Sequence, residues 1–120
     1  MCLNLRMENN DYQKWLSQLR KGYLELCVLV CLRQRESSYG FELLQTFEHA
    51  GLKLNEGTLY PLLNRMQKNG WLESKWETPA DSGHPRRFYQ LSEEGKEMLP
   101  SMLEAHSNNH QSLNKLMELK

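Results

Sequence analysis

The spacing of apolar residues along this chain changes twice. From Tyr12 to Gly70 they recur every three or four positions, the period of helices that bury one side. From Trp71 to Leu91 the pattern becomes two short runs, WLESKW and RRFYQL, around the connection Glu77–Pro85 (ETPADSGHP), which is dense in turn formers. From Ser92 onward the helical spacing returns. This order predicts a mainly helical chain carrying one β-hairpin with a long tip.

The helices can be placed from their stripes and caps. The first is predicted over Tyr12–Gln34, bent near Gly22, with Leu16, Leu19, Tyr23, Leu26, Cys27, Leu29 and Val30 at helical spacing. Ser37 or Ser38 can cap a second over Tyr39–Ala50, with Phe41, Leu44 and Phe47 inside and Gly51 just beyond its end. A third ends at Gly70. Asn55 or Thr58 can cap it, and Pro61 favours Thr58, because proline is harmless in the first turn. Its inward side is Leu59, Leu62, Leu63 and Met66; its outward side is Gly57, Thr58, Tyr60, Asn64, Arg65 and Lys68. Ser92 caps a last helix running to about Leu119, with a kink near Ser101 from Pro100. Three helices, a short link Gly51–Glu56 between the second and third, and then a hairpin describe a winged helix-turn-helix. The expected organisation is a lead-in over residues 1–11, the winged helix over 12–91 and a C-terminal dimerisation helix over 92–120.

Composition narrows the function. The 120 residues can bury one core but not a multidomain enzyme. Glu25 interrupts the most apolar run, Leu24–Leu32, far below the roughly 18 residues a membrane span needs. Arg6, Glu8 and Asp11 occupy the place of a signal peptide's apolar stretch, so the expected compartment is the cytoplasm. Three cysteines make no disulfide framework. Cys27 and Cys31, one turn apart, read as small core residues, with a metal or redox role for them or Cys2 as the lesser alternative. The order of elements suggests no Ser/His/Asp set, Gly-rich phosphate loop or paired-carboxylate cleft, so neither enzymatic activity nor a cofactor or metal is expected. Glu93 and Glu94 suit a helix N-terminus.

Fifteen cationic and fifteen acidic residues give zero net charge, so any affinity for nucleic acid must come from local placement. In a helix-turn-helix the second helix of the pair enters the major groove and neighbouring helix ends meet phosphates. The small Gly57 and Thr58, the Tyr60 hydroxyl, Pro61, Asn64, Arg65 and Lys68 suit base and backbone contact. Ser38 and the amides near Tyr39 suit a phosphate. His84, Arg86 and Arg87 form a basic wing tip beside Gly83. Tyr60 also reads as a half-buried aromatic, and Arg65 and Lys68 as a solvated face. Arg86 and Arg87 point to opposite sides of a strand, so one is expected to face DNA and the other to pair with Glu73 or Glu77. Few net charges mean modest affinity for one chain, which favours a dimer.

The tail supplies a seam. Met98, Leu99, Met102, Leu103, Leu113, Leu116 and Met117 share one helical face, expected to pack on the first helix, including Leu16 and Leu19, and on a partner's copy. Paired tails would hold two recognition helices about 34–36 Å apart. His106, Asn109 and His110 interrupt the stripe. They read as a polar register device, then as a small-molecule pocket, then as a metal site shared by two subunits. His106 and His110 also suggest a pH-sensitive dimer.

Four stretches together resemble the PadR-like transcriptional regulators: Leu19–Gly22 (LRKG), Ser38–Leu44 (SYGFELL), Glu56–Leu72 (EGTLYPLLNRMQKNGWL) and Gly83–Gly95 (GHPRRFYQLSEEG). The resemblance covers Leu19 to Leu99. It implies a one-component regulator, mostly a repressor, that binds double-stranded promoter DNA as a homodimer, in the short subgroup with one C-terminal helix. The family's recognition positions fall on Thr58, Leu59, Tyr60, Pro61 and Arg65, with Leu59 also reading as core, and its wing cations on Arg86 and Arg87. Some members bind flat aromatic effectors at the dimer centre against an aromatic residue of the last helix. This chain has no aromatic residue after Tyr89, so Trp15, with His106 and His110, is the expected lining for a small aromatic or hydrophobic effector. The alternative function is a winged-helix protein–protein interaction module without DNA binding. Zero net charge favours it; the Thr58, Tyr60 and Arg65 set favours DNA.

Overall fold

A computed structural model describes residues 10–81 and 83–120. Cys2 and most of the lead-in lie outside the described residues. The elements are α1 (Asp11–Gln34), β1 (Ser38–Tyr39), α2 (Gly40–His49), α3 (Glu56–Lys68), β2 (Leu72–Glu77), β3 (Arg86–Leu91) and α4 (Glu93–Met117). This is the expected winged helix-turn-helix followed by one long helix, with one strand more than the sequence predicted.

Helix α1 divides in two. Its second half runs through the middle of the domain and buries Leu24, Leu26, Val28, Leu29 and Leu32, more than the single stripe expected. Its first half reaches beyond the core and leaves Trp15 and Leu19 exposed and Leu16 half-buried. Helix α2 closes the core with Leu43 and Phe47. Phe41, expected inside, is exposed, and Leu43 takes the inward place instead. The inward side of α3 is the predicted one: Leu59, Leu62, Leu63 and Met66 are all buried.

Two caps differ from expectation. Tyr39, in extended backbone, precedes α2, and Ser38 is drawn into the sheet. The Glu42 carboxylate accepts from the Tyr39 amide at 3.3 Å and the Ser38 hydroxyl at 3.1 Å, which ties off the helix start from within. At α3 the cap is Asn55, not Thr58. Asn55 Oδ1 accepts from the Thr58 amide at 2.9 Å, and the Asn55 carbonyl accepts from Leu59 at 3.0 Å. Pro61 therefore sits inside the helix and gives up the bond to the Gly57 carbonyl. Gly57 is exposed, so water can satisfy that oxygen.

The sheet is antiparallel in the order β1-β3-β2. Ser38 lies opposite Tyr89 and Tyr39 opposite Phe88, while β2 and β3 pair from Leu72↔Leu91 to Glu77↔Arg86. Tyr89 and Leu91 face the core. Helix α4 begins against the end of α3. Ser92 Oγ accepts from the Gly95 amide at 3.0 Å and donates to the Gly70 carbonyl at 2.6 Å, as a capping serine should. The helix continues through Pro100 to Met117 without a break. Among the described residues no helix is long and apolar enough to cross a membrane.

Among the described residues, only the first half of α4 packs into the core of its own chain. Leu99 is buried in the core, and Met98, Met102 and Leu103 pack against it. Leu99, expected at a dimer seam, is thus a core residue. Further along, Leu113, Leu116 and Met117 are 55%, 63% and 73% exposed. Cys27 and Cys31 are half-buried free thiols beside the core, as expected for small apolar residues. Burial pushes both thiols above their ordinary pKa. Alkylation by iodoacetamide requires the thiolate. In a Cys2→Ser variant at pH 7.5 both cysteines are therefore expected to label several-fold more slowly in the native protein than in urea. Equal rates, followed by mass spectrometry, would contradict that burial.

Candidate nucleic-acid interface

With Leu59, Leu62, Leu63 and Met66 turned inward, α3 presents Gly57, Thr58, Tyr60, Pro61, Asn64, Arg65 and Lys68 on its free side, and all seven are exposed. Among the described residues no element lies over them as a lid. This side has two edges. Tyr60 and Asn64 line a cleft of about 360 Å³ shared with the wing, and Thr58, Pro61 and Arg65 line another shared with α1.

The wing-side cleft gathers residues far apart in sequence: Tyr39, Gly40, Tyr60, Asn64, Arg86 and Arg87 among them. The Tyr60 ring lies against Gly40 so closely that a Cβ there would overlap the phenol. Tyr60 is therefore an exposed ring braced from below, which joins the two readings of it made from sequence. Gly40→Ala is expected to push the ring off α2 with little change in fold. If Tyr60 touches DNA, affinity should fall about as much as in Tyr60→Ala, and the two changes together should not add. Additive losses would show that the glycine and the ring act independently.

The two wing arginines are not equivalent, and neither pairs with Glu73 or Glu77 as expected. Arg87 turns toward the body. Its Nε donates to Ser74 Oγ at 2.9 Å and its guanidinium donates to Gln67 Oε1 at 2.7 Å, so it straps the wing to α3. Arg86 faces the other way, 4.5 Å above the Tyr39 ring, which itself meets Phe88 edge-on at 5.3 Å. The carboxylates have other partners: Glu77 takes Lys75 at 3.0 Å, and Glu73 accepts from Gln90 at 3.1 Å. Arg87 lies on the inner side of β3 with Tyr89, where Gln67 and Ser74 offer it acceptors.

Ser38 is 0% exposed and donates to Glu42, so its hydroxyl does not face solvent as the sequence reading expected. Tyr39 is half-buried, and His84 is exposed in the tip. Trp76, at the end of β2, is 67% exposed and lines the wing-side cleft. Sequence reasoning took it only as a strand former, although a tryptophan next to a turn-rich tip is the kind of residue a binding surface displays.

A model of the Transcriptional regulator PadR-like family matches residues 28–101. The chain belongs to that family. It is similar to the X-ray structure of a PadR-like transcription factor from Bacteroides fragilis, at 33% identity and a TM-score of 0.72, covering 88% of this chain and 99% of that one. A Streptococcus transcriptional regulator is 35% identical with a TM-score of 0.76, over 84% of this chain and 98% of its own. A PadR family transcriptional regulator from Eggerthella lenta is 29% identical with a TM-score of 0.77, over 91% and 94%. Membership of the PadR-like family makes this chain a transcriptional regulator and not an enzyme. Among the described residues no three His, Cys, Asp or Glu side chains are grouped to hold a metal ion.

The candidate effector residues lie on two helices, Trp15 on α1 and His106 and His110 on α4. Trp15 stacks on Tyr12 with ring centroids 6.1 Å apart, and His106 lies against Tyr23 at 5.7 Å. His110 is exposed a turn beyond.

Proposed function

We propose that two copies of this chain form a sequence-specific DNA-binding repressor that works on an inverted-repeat operator in the cytoplasm. Residues 12–91 are the DNA-binding part and residues 92–120 the dimerisation part. The observation that carries this reading is the free side of α3, polar and uncovered, flanked by a wing that α3 itself holds through Arg87. A helix about 10–12 Å across fits a major groove about 12 Å wide, and its first-turn side chains then reach base edges. Thr58, Tyr60, Pro61, Asn64, Arg65 and Lys68 are the contact set on the helix, with His84 and Arg86 on the wing. Ser38, Tyr39 and Gly57 act by shaping the approach. Arg87 positions the wing.

The dimer is carried by Leu113, Leu116 and Met117 of α4, together with Met102, Leu103, His106 and His110, and by Leu16 and Leu19 of α1. A small aromatic or hydrophobic effector at the centre would meet Trp15, His106 and His110. The exposed, stacked Tyr12–Trp15 pair supports that part of the reading.

Gel shift against the DNA upstream of the protein's own gene, at several salt concentrations, tests the proposal. A specific complex whose affinity falls steeply with salt is expected. Equal binding to unrelated DNA, or none, would overturn it in favour of a protein partner. Within the complex, Arg65→Ala should weaken binding by about 1–3 kcal/mol if Arg65 reads a base. Arg65 Nε lies 3.9 Å from a largely buried Glu25 carboxylate, so Glu25→Gln should leave the arginine freer and not reduce affinity.

A further inference from the structure

The second edge of α3 borders a cleft that no described residue of the wing lines. Between α1 and the start of α3 is a cleft of about 400 Å³, and four cations line it: Arg20 and Lys21 from α1, Lys53 from the link before α3, and Arg65 from α3 itself. Arg20 and Lys21 are neighbours in sequence; Lys53 and Arg65 are far from them, and folding brings the two groups together. They concentrate in one place the positive charge that the net balance of zero conceals. Two carboxylates are close. Glu25, on α1, faces Arg65 at 3.9 Å, and Glu56 opens α3. Among the described residues no ion pair engages Arg20, Lys21 or Lys53, and all three are exposed.

Gathering like charges in a cleft raises their mutual repulsion, and an anion placed there relieves it. The shape of the duplex says where that anion would come from. A major groove is walled by two phosphate backbones, and a helix lying in it turns one flank to each. Tyr60 and Asn64 are on the flank that shares a cleft with the wing; Thr58, Pro61 and Arg65 are on the flank that shares a cleft with α1. A wing can meet only the first wall. We infer that Arg20, Lys21, Lys53 and Arg65 form a phosphodiester cradle that grips the second backbone strand, opposite the wing. This rests on the reading of α3 as the DNA-reading helix and extends it to a surface on α1.

Counterion release makes the inference measurable. Each phosphate neutralised contributes about 0.9 to the slope of log K against log salt. The triple variant Arg20→Gln/Lys21→Gln/Lys53→Gln changes exposed residues only, so the fold should hold, as circular dichroism can verify. Its operator affinity at about 150 mM salt is expected to fall at least tenfold and its salt slope by about two to three, with the preference for operator over unrelated DNA kept. A parent that binds DNA with a slope the variant reproduces would overturn the cradle and leave the reading of α3 standing. A parent that binds no DNA would overturn both. In a second arm, inorganic phosphate and ATP are titrated against the DNA-free parent and the variant by calorimetry. Millimolar or tighter binding to the parent alone, with an unchanged DNA slope, would assign the cleft to a free phosphorylated compound and overturn the backbone role.

Discussion

A Leu113→Glu/Leu116→Glu variant is expected to sediment as a single chain and to bind the operator roughly 10²–10⁴-fold more weakly than the parent. The size follows from linkage. Two half-site contacts held in one particle make the second contact intramolecular, and separating the chains removes that gain without touching any residue at the DNA. The fold should survive, because both leucines project from the last turns of α4 and are 55% and 63% exposed in the single chain. An apolar stripe that no described residue of its own chain covers is what a helix shows when its partner is another copy. Introduced carboxylates would face each other across a two-fold seam and repel. Sedimentation equilibrium, with a thermal melt to show that the monomer is folded, checks the outcome. A variant that keeps the parental dimer mass would place the seam elsewhere on the molecule. One that becomes monomeric but binds as tightly as before would show that a single chain suffices for DNA.

The same stripe shows where sequence reading works and where it stops. Met98 to Met117 share one side of a helix, and that much is periodicity. Whether a residue on that side meets its own core or a partner depends on how far the domain extends, which periodicity does not encode. Leu99 therefore lies in the core while Leu113 and Leu116 lie in the open. The inward and outward sides of α3 were legible because Leu59, Leu62, Leu63 and Met66 repeat faithfully over about two turns. The short strand β1 was not, because two residues carry no alternation and only pairing with Tyr89 and Phe88 makes them a strand. That pairing also withdraws Ser38 from the surface. The role of Arg87 was hidden for a related reason. Strand geometry separates Arg86 from Arg87, but which of them turns to the body depends on Gln67 and Ser74, acceptors supplied by other elements. The grouping of Lys53 and Arg65 with the adjacent Arg20 and Lys21 was invisible, since no local pattern joins the link before α3 to α1.

Gly95→Val is expected to lower unfolding free energy by about 3 kcal/mol, the upper range of overpacking. A Cβ at Gly95 would overlap the Trp71 carbonyl, a backbone atom that cannot rotate aside. That carbonyl is pinned from both directions: the Trp71 amide donates to Met66 at 3.0 Å as α3 closes, and Ser92 donates to the Trp71 oxygen at 3.0 Å as α4 opens. Relief must come from α4 lifting, which pulls Leu99 from the core and loosens the Ser92–Gly70 hydrogen bond. Urea denaturation should show a lower midpoint with an unchanged slope. Ser92→Ala, which removes the cap but not the close approach, should cost less, about 1 kcal/mol. The same joint has a consequence for DNA. In the proposed dimer α4 carries the seam and α3 the reading side, so there the angle at Gly95 sets the separation of the two reading helices. Under conditions where the valine variant is still folded and dimeric, its operator affinity should fall, and an operator with one base pair more or less between half-sites should recover part of the loss. A folded variant with parental stability would show that α4 is not packed on Trp71 as closely as described. Parental affinity for the original spacing would show that this joint does not set the span.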